Sequence, residues 1–156
     1  MRRKKQLLSE AETIEILKTS TSGVLGVSGD DGYPYTVPLS YVYQEGKLFF
    51  HCAQEGHKID AISRNEKVSF CVTDQDKVIP EKFTTHYRSA IAFGRARILT
   101  DEGEKRRALE SLVAKYSPDY RVEGQQEIER DLHHTCLIEV KIEHLTGKAA
   151  KEIVKG

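Results

Sequence analysis

Residues 33–72 read YPYTVPLSYVYQEGKLFFHCAQEGHKIDAISRNEKVSFCV, and the order of elements in this stretch decides the fold. From Pro34 to Tyr43 the side chains alternate with the period of a β-strand. Val37, Leu39, Tyr41 and Tyr43 share one face, and Thr36, Pro38, Ser40 and Val42 the other. Pro38 has no amide to give to a ladder, so the strand meets an edge, a bulge or a ligand-facing gap there. Gln44-Glu45-Gly46 turns the chain into a second strand, Lys47 to Cys52, giving a hairpin. A polar loop, Gln54-Glu55-Gly56-His57, leads into a short helix predicted over Lys58 to Asn65 with Ile59 and Ile62 inward. Lys67 to Thr73 is again a strand.

Upstream, Ser9-Glu10-Ala11-Glu12 has the form of a capping box and predicts a helix ending by Thr19 or Ser20. Gly23 to Val27 is a short strand, and Ser28-Gly29-Asp30-Asp31-Gly32 is dense in turn formers. Downstream, Asp74 to Thr85 is polar, contains Pro80 and reads as a long loop. Arg88 to Leu99 is the longest strand, with Gly94 as its expected bulge. Asp101 caps a helix reaching about Lys115, and Ser117-Pro118 breaks it. A further short helix is expected over Glu123 to Asp131, a last strand over Thr135 to Ile142, and a polar tail from Thr146. Six strands arriving mostly as hairpins, with helices between them, make an antiparallel α+β domain, most simply a small barrel. No G-x-G-x-x-G follows a strand, which argues against a dinucleotide-binding doubly wound sheet.

The 156 residues fit one domain, 1–156, with 1–8 and 147–156 as peripheral tails. Hydrophobic residues are 38% and charged residues 31%, a wet balance that suits a domain sharing part of its core surface with a twin. Lys plus Arg equals Asp plus Glu at 24 each, so no global field draws nucleic acid or an anionic membrane. The one basic block, Arg2-Arg3-Lys4-Lys5, reads as a solvated terminus. No apolar run has the length of a membrane span, and no signal-peptide core follows the basic block. Cys52, Cys71 and Cys136 are odd in number, and each lies in a strand-like segment. Disulfide stapling is therefore not expected, and a reducing cytoplasm fits.

Three places bear on chemistry. Gly56-His57-Lys58 stands where a strand gives way to a helix N-terminus, which suits a phosphate held by amides and a lysine ammonium. From the residues alone the plainer reading, a turn shaped by Gly56 with Lys58 in solvent, stands ahead. His51 reads evenly as a core histidine bonded to a carbonyl or as the wall of a pocket. A metal site is not expected. His51, Cys52, His57, Cys71, His133 and His134 lack ligand spacing, and His51 and Cys52 point to opposite strand faces. No Ser or Cys sits on a nucleophile elbow.

The runs F-H-x-A-x-x-G-x-K-I-D, N-x-K-V-x-F and Y-R-S-A-I-A-F-G-R-A-R-I, in this order and spacing, resemble the FMN-binding split-barrel family, the pyridoxamine-5′-phosphate-oxidase-like proteins. The branch related to 5-nitroimidazole resistance proteins is the most similar, and the resemblance runs from about Arg2 to Gly147. It implies a six-stranded split barrel and a homodimer with FMN at the subunit interface. Tyr35, Thr36, Val37, Pro38, Leu39 and Ser40 would flank the ring and ribityl chain, and His51 and Cys52 would line the cofactor. His57 and Lys58 would hold the phosphate, and Ser89 would come from the partner subunit together with the Asp74–Tyr87 loop. The implied activity is flavin-dependent reduction of a small electron-poor substrate such as a nitroaromatic, with His51 orienting or protonating it and NAD(P)H as a candidate electron donor. Split-barrel relatives also include haem binders, so non-catalytic flavin or haem storage is the alternative, with a deazaflavin as a third ligand. Two departures argue against pyridoxamine-phosphate oxidation: Tyr35 and Ser40 stand where that oxidase carries Arg and Lys, and the chain has no Trp.

Overall fold

The computed structural model describes residues 4–154; Arg2 and Arg3 of the basic block, and the last two residues of the tail, lie outside them. Among the described residues, seven antiparallel strands form one sheet, accompanied by four α-helices. The strands are β1 (Ser22–Ser28), β2 (Pro34–Ser40), β3 (Val42–Gln44), β4 (Lys47–Cys52), β5 (Lys67–Ile79), β6 (Thr84–Ile98) and β7 (Cys136–Ala149). The helices are α1 (Glu10–Thr19), α2 (His57–Arg64), α3 (Glu102–Tyr116) and α4 (Arg121–Asp131). Sheet order is β2-β1-β5-β6-β7-β4-β3, so the two edge strands are consecutive in the chain.

That order corrects the expected count of six. The alternation from Pro34 to Tyr43 is real, but the strand divides at Tyr41 and its halves go to opposite edges of an unclosed sheet. Tyr41 is fully buried and its backbone is bonded by α3 rather than by a neighbouring strand. Its amide donates to Tyr116 Oη at 2.8 Å, and its carbonyl accepts from Tyr116 Oη at 2.8 Å and Lys115 Nζ at 3.0 Å. The Tyr41 hydroxyl donates to Leu17 O at 2.7 Å, satisfying a carbonyl in the last turn of α1. Lys115 also donates to Ser20 O, and the single Tyr116 hydroxyl proton lies between Tyr41 O and Thr21 O, so α3 knits the break to the end of α1.

The core lies between the inner face of the sheet and α1 and α2. Tyr41, Phe50 and Phe70 form its aromatic centre, with Phe70 edge-on to Tyr41 at 4.8 Å and to Phe50 at 5.1 Å. Ile16 and Leu17 cover it from α1, and Ile59, Ala61 and Ile62 from α2. A second cluster, Val42, Leu99, Ala108, Leu112 and Leu137, seats α3 on the outside of the sheet. The capping box at Ser9 and the Asp101 cap of α3 both form as expected. The β6–β7 register shifts between Phe93 and Gly94, where a Cβ on Gly94 would stand 2.3 Å from Lys141 O.

Two further segments differ from expectation. Residues 74–87 are not a loop: β5 and β6 extend as a hairpin past a bulge at Thr73/Gln75 and turn at Pro80–Lys82. The hairpin has no alternating buried face, being half-buried along 84–89 and exposed at 76–78, so its ladder forms without the apolar alternation that announces a strand. β7 likewise runs on to Ala149, because it stays paired with β6 as far as Arg88, and Leu7 and Leu8 add a bridge to Lys148 and a bond to Gly147 O at 3.0 Å. No helix among the described residues is long and apolar enough to cross a membrane.

Candidate functional site

The head of α2 is built by an unusual backbone. Gly56, its N-cap, has φ 145°, a region left to glycine, and offers no side-chain acceptor to the helix. The amides of Ile59 and Asp60 bond to Gly56 O at 3.0 and 3.1 Å. The amides of His57 and Lys58 precede them at the positive end of the helix dipole. The leading residues 53–56 are all exposed.

His57 and Tyr35 meet here. Their rings lie 4.4 Å apart at 60°, joining the start of β2 to the head of α2. His57 Nδ1 is 3.6 Å from Asp30 Oδ2, and Asp30 also accepts from Arg64 at 2.6 Å. An acidic group and a cation thus share the corner with His57. Lys58 is half-buried, and its charge bears on the neighbouring Cys52 thiol. Burial pushes that thiol up to about 12, with Cys136 adding to the rise and Lys58 opposing it.

On β2, Val37 and Leu39 pack against the core, while Thr36, Pro38 and Ser40 are exposed on the outer face. Pro38 sits opposite Val24 on an edge strand, which resolves the missing amide in favour of the edge. His51 is exposed, so the core-histidine reading falls; Cys52 faces inward. Ser89 lies on the outer face of β6, with two strands between it and β2. The chain therefore brings Tyr35 to His57 and Lys58 to Cys52, and leaves Ser89 apart from them. Among the described residues, no group of three or more His, Cys, Asp or Glu is placed to hold a metal ion.

One group of residues escaped the sequence reading. Across the outer face, Pro38, Val24, Cys71 and Ile91 lie in one register row. Val24 is 41% exposed, Ile91 39% and Phe93, one row on, 50%. The inner face of β6 is meanwhile Ala90, Ala92, Gly94 and Ala96. Small residues inside and large apolar ones outside invert the usual pattern, and that inversion was the available signal. Beside this row, Gly26, Thr36, Ser69, Phe93, Arg95 and His144 help line a groove of about 630 Å³, a size that suits a small ligand.

Comparison with known proteins yields no curated match. Among solved structures, a candidate 5-nitroimidazole antibiotic resistance protein from Bacteroides thetaiotaomicron is 23% identical, with 92% of this chain and 86% of that chain covered and a TM-score of 0.76. The FAD and heme binding protein of Mycobacterium smegmatis is 21% identical over 94% and 74% of the two chains, TM-score 0.81. The flavocytochrome Anf3 of Azotobacter vinelandii is 20% identical over 96% and 72%, TM-score 0.78. These similarities establish the shared fold. The family profile described as pyridoxamine 5′-phosphate oxidase matches residues 9–149, and the chain belongs to that family.

Proposed function

We propose that this chain is an FMN-dependent oxidoreductase that reduces a small electron-poor molecule, a nitroaromatic being the type. The observation that carries the reading is the head of α2. A helix N-terminus with a glycine cap, no side-chain acceptor and an adjacent half-buried lysine fits a phosphate. Asp30 tempers the corner, but it is already paired with Arg64. FMN would supply two-electron reduction when bound. The chain's own residues bind and orient: the amides of α2 and Lys58 take the phosphate, with His57 as a further donor. Tyr35 to Ser40 flank the ring, and Cys52 lines the same side. His51, exposed on β4, is the group assigned to orient or protonate the substrate.

A second copy completes the site in this reading, contributing Ser89 and the hairpin tip, with the apolar outer row of β1, β5 and β6 as the contact. The relatives described as FAD-binding or as a flavocytochrome support a flavin as the cofactor, FMN is the flavin proposed, and NAD(P)H is the proposed electron donor. The cytoplasm is the proposed location. The test is the visible spectrum of the purified protein and its titration with FMN. A colourless protein that acquires no flavin spectrum sinks the proposal. The relatives described with haem favour a second reading, non-catalytic haem or flavin binding; a Soret band without a flavin peak selects its haem form, and bound flavin without NAD(P)H turnover its flavin form.

A further inference from the structure

We propose that Cys52 and Cys136 form a reversible disulfide site that fastens the loop leading into α2. The two residues are direct cross-strand partners and make the last rung of the β4–β7 ladder. Leu48–Val140 and Phe50–Ile138 are the preceding rungs on the same, core-facing side. Both thiols therefore point inward at one level of the sheet, side by side on the core-facing side. Cα atoms of antiparallel partners lie about 4.5–5.5 Å apart, within the span a disulfide bridges. Both sulfurs are free thiols. Cys71, the third, is exposed on the outer face between Val24 and Ile91 and has no cysteine opposite it.

The position of the rung gives the bond a consequence. Beyond Cys52 the chain leaves the sheet as the exposed residues 53–56, and before Cys136 it is the exposed pair His133-His134. The Gln54 side chain donates to His133 O at 3.1 Å across the two segments. A covalent link one step below that hydrogen bond holds both segments together. Cys52 is half-buried and Cys136 buried, so a small oxidant reaches Cys52 first. Burial raises the Cys52 thiol, which slows its attack on an oxidant.

With a peroxide as oxidant, Cys52 sulfur attacks one oxygen, the O–O bond breaks, and a sulfenic acid and water form. Cys136 sulfur then attacks that sulfur; the S–S bond forms, the S–O bond breaks, and a second water carries away the Cys136 proton. The two electrons come from the two sulfurs, and a small dithiol returns them by exchange.

The test uses the full chain and its Cys71→Ser variant, treated with hydrogen peroxide, alkylated and mapped by mass spectrometry. Expected is a disulfide-linked peptide joining Cys52 to Cys136, and slower amide exchange over 53–56. The melting midpoint should rise by roughly 5 °C or more, reversed by dithiothreitol. Cys52→Ser and Cys136→Ser should each abolish the rise. Full alkylation of Cys52 and Cys136 after peroxide has consumed Cys71 in the unaltered chain overturns the site. A linked peptide with unchanged midpoint and unchanged exchange overturns the fastening. Neither readout depends on a bound flavin.

Discussion

Replacing Tyr41 with Phe isolates the bond that ties the break between β2 and β3 to α1. The ring is retained, and with it the 4.8 Å edge contact to Phe70, so no cavity cost enters. What is lost is the hydroxyl, 2.7 Å from Leu17 O in a residue of zero exposure. Leu17 lies in the last turn of α1, and the Ser20 amide there is already given to Ile16 O. Deletion therefore removes one net hydrogen bond and strands a buried carbonyl, which together cost about 2 kcal/mol. That corresponds to a fall of roughly 4–8 °C in melting midpoint for a chain of this size. Urea unfolding should show a lower midpoint at an unchanged slope. Tyr120→Phe, at a residue 63% exposed, is the matched control and should change stability by less than about 0.5 kcal/mol. If Tyr41→Phe proves no more costly than Tyr120→Phe, the account of the break is wrong.

Lys58→Ala should weaken FMN binding by about 5- to 20-fold in a fluorescence titration, and an unchanged affinity removes Lys58 from the phosphate role. Phe93→Asp should convert a dimer to a monomer by light scattering with the circular dichroism spectrum intact; a dimer that persists rejects the outer row as the contact. Lys115 is lowered by burial to about 8 from 10.5. Between those pH values the folded chain has released a proton that the unfolded chain keeps, so stability rises with pH across the window. Urea midpoints of the unaltered chain should therefore gain on those of Lys115→Met between pH 8 and 10.5, and a constant difference refutes the shift.

Local chemistry was the legible part of the fold. The caps at Ser9 and Asp101, the turn at Glu45-Gly46 and the bulge at Gly94 all rest on residues a few positions apart, and each stands where expected. The break at Tyr41 was hidden because alternation continues through it; only Lys115 and Tyr116, far along the chain, reveal it. The 74–87 hairpin was hidden because its ladder has no alternating buried face and so leaves no hydrophobic period. At the site, alternation correctly put His51 and Cys52 on opposite faces. The pairing of His57 with Asp30 was out of reach, since a turn between β1 and β2 delivers that carboxylate.

The inside-out bulk of β6 also bears on how such a chain diverges. Its inner positions cannot grow: a Cβ on Gly94 meets backbone at 2.3 Å, and Ala90, Ala92 and Ala96 are 0%, 1% and 4% exposed. Its outer positions, Ile91 and Phe93, are 39% and 50% exposed and can change size without disturbing the packing on the inner face of the sheet. Substitution is therefore tolerated on the outward face of β6 and shut out on the inward one, so the surface it presents can be changed without repacking what lies beneath.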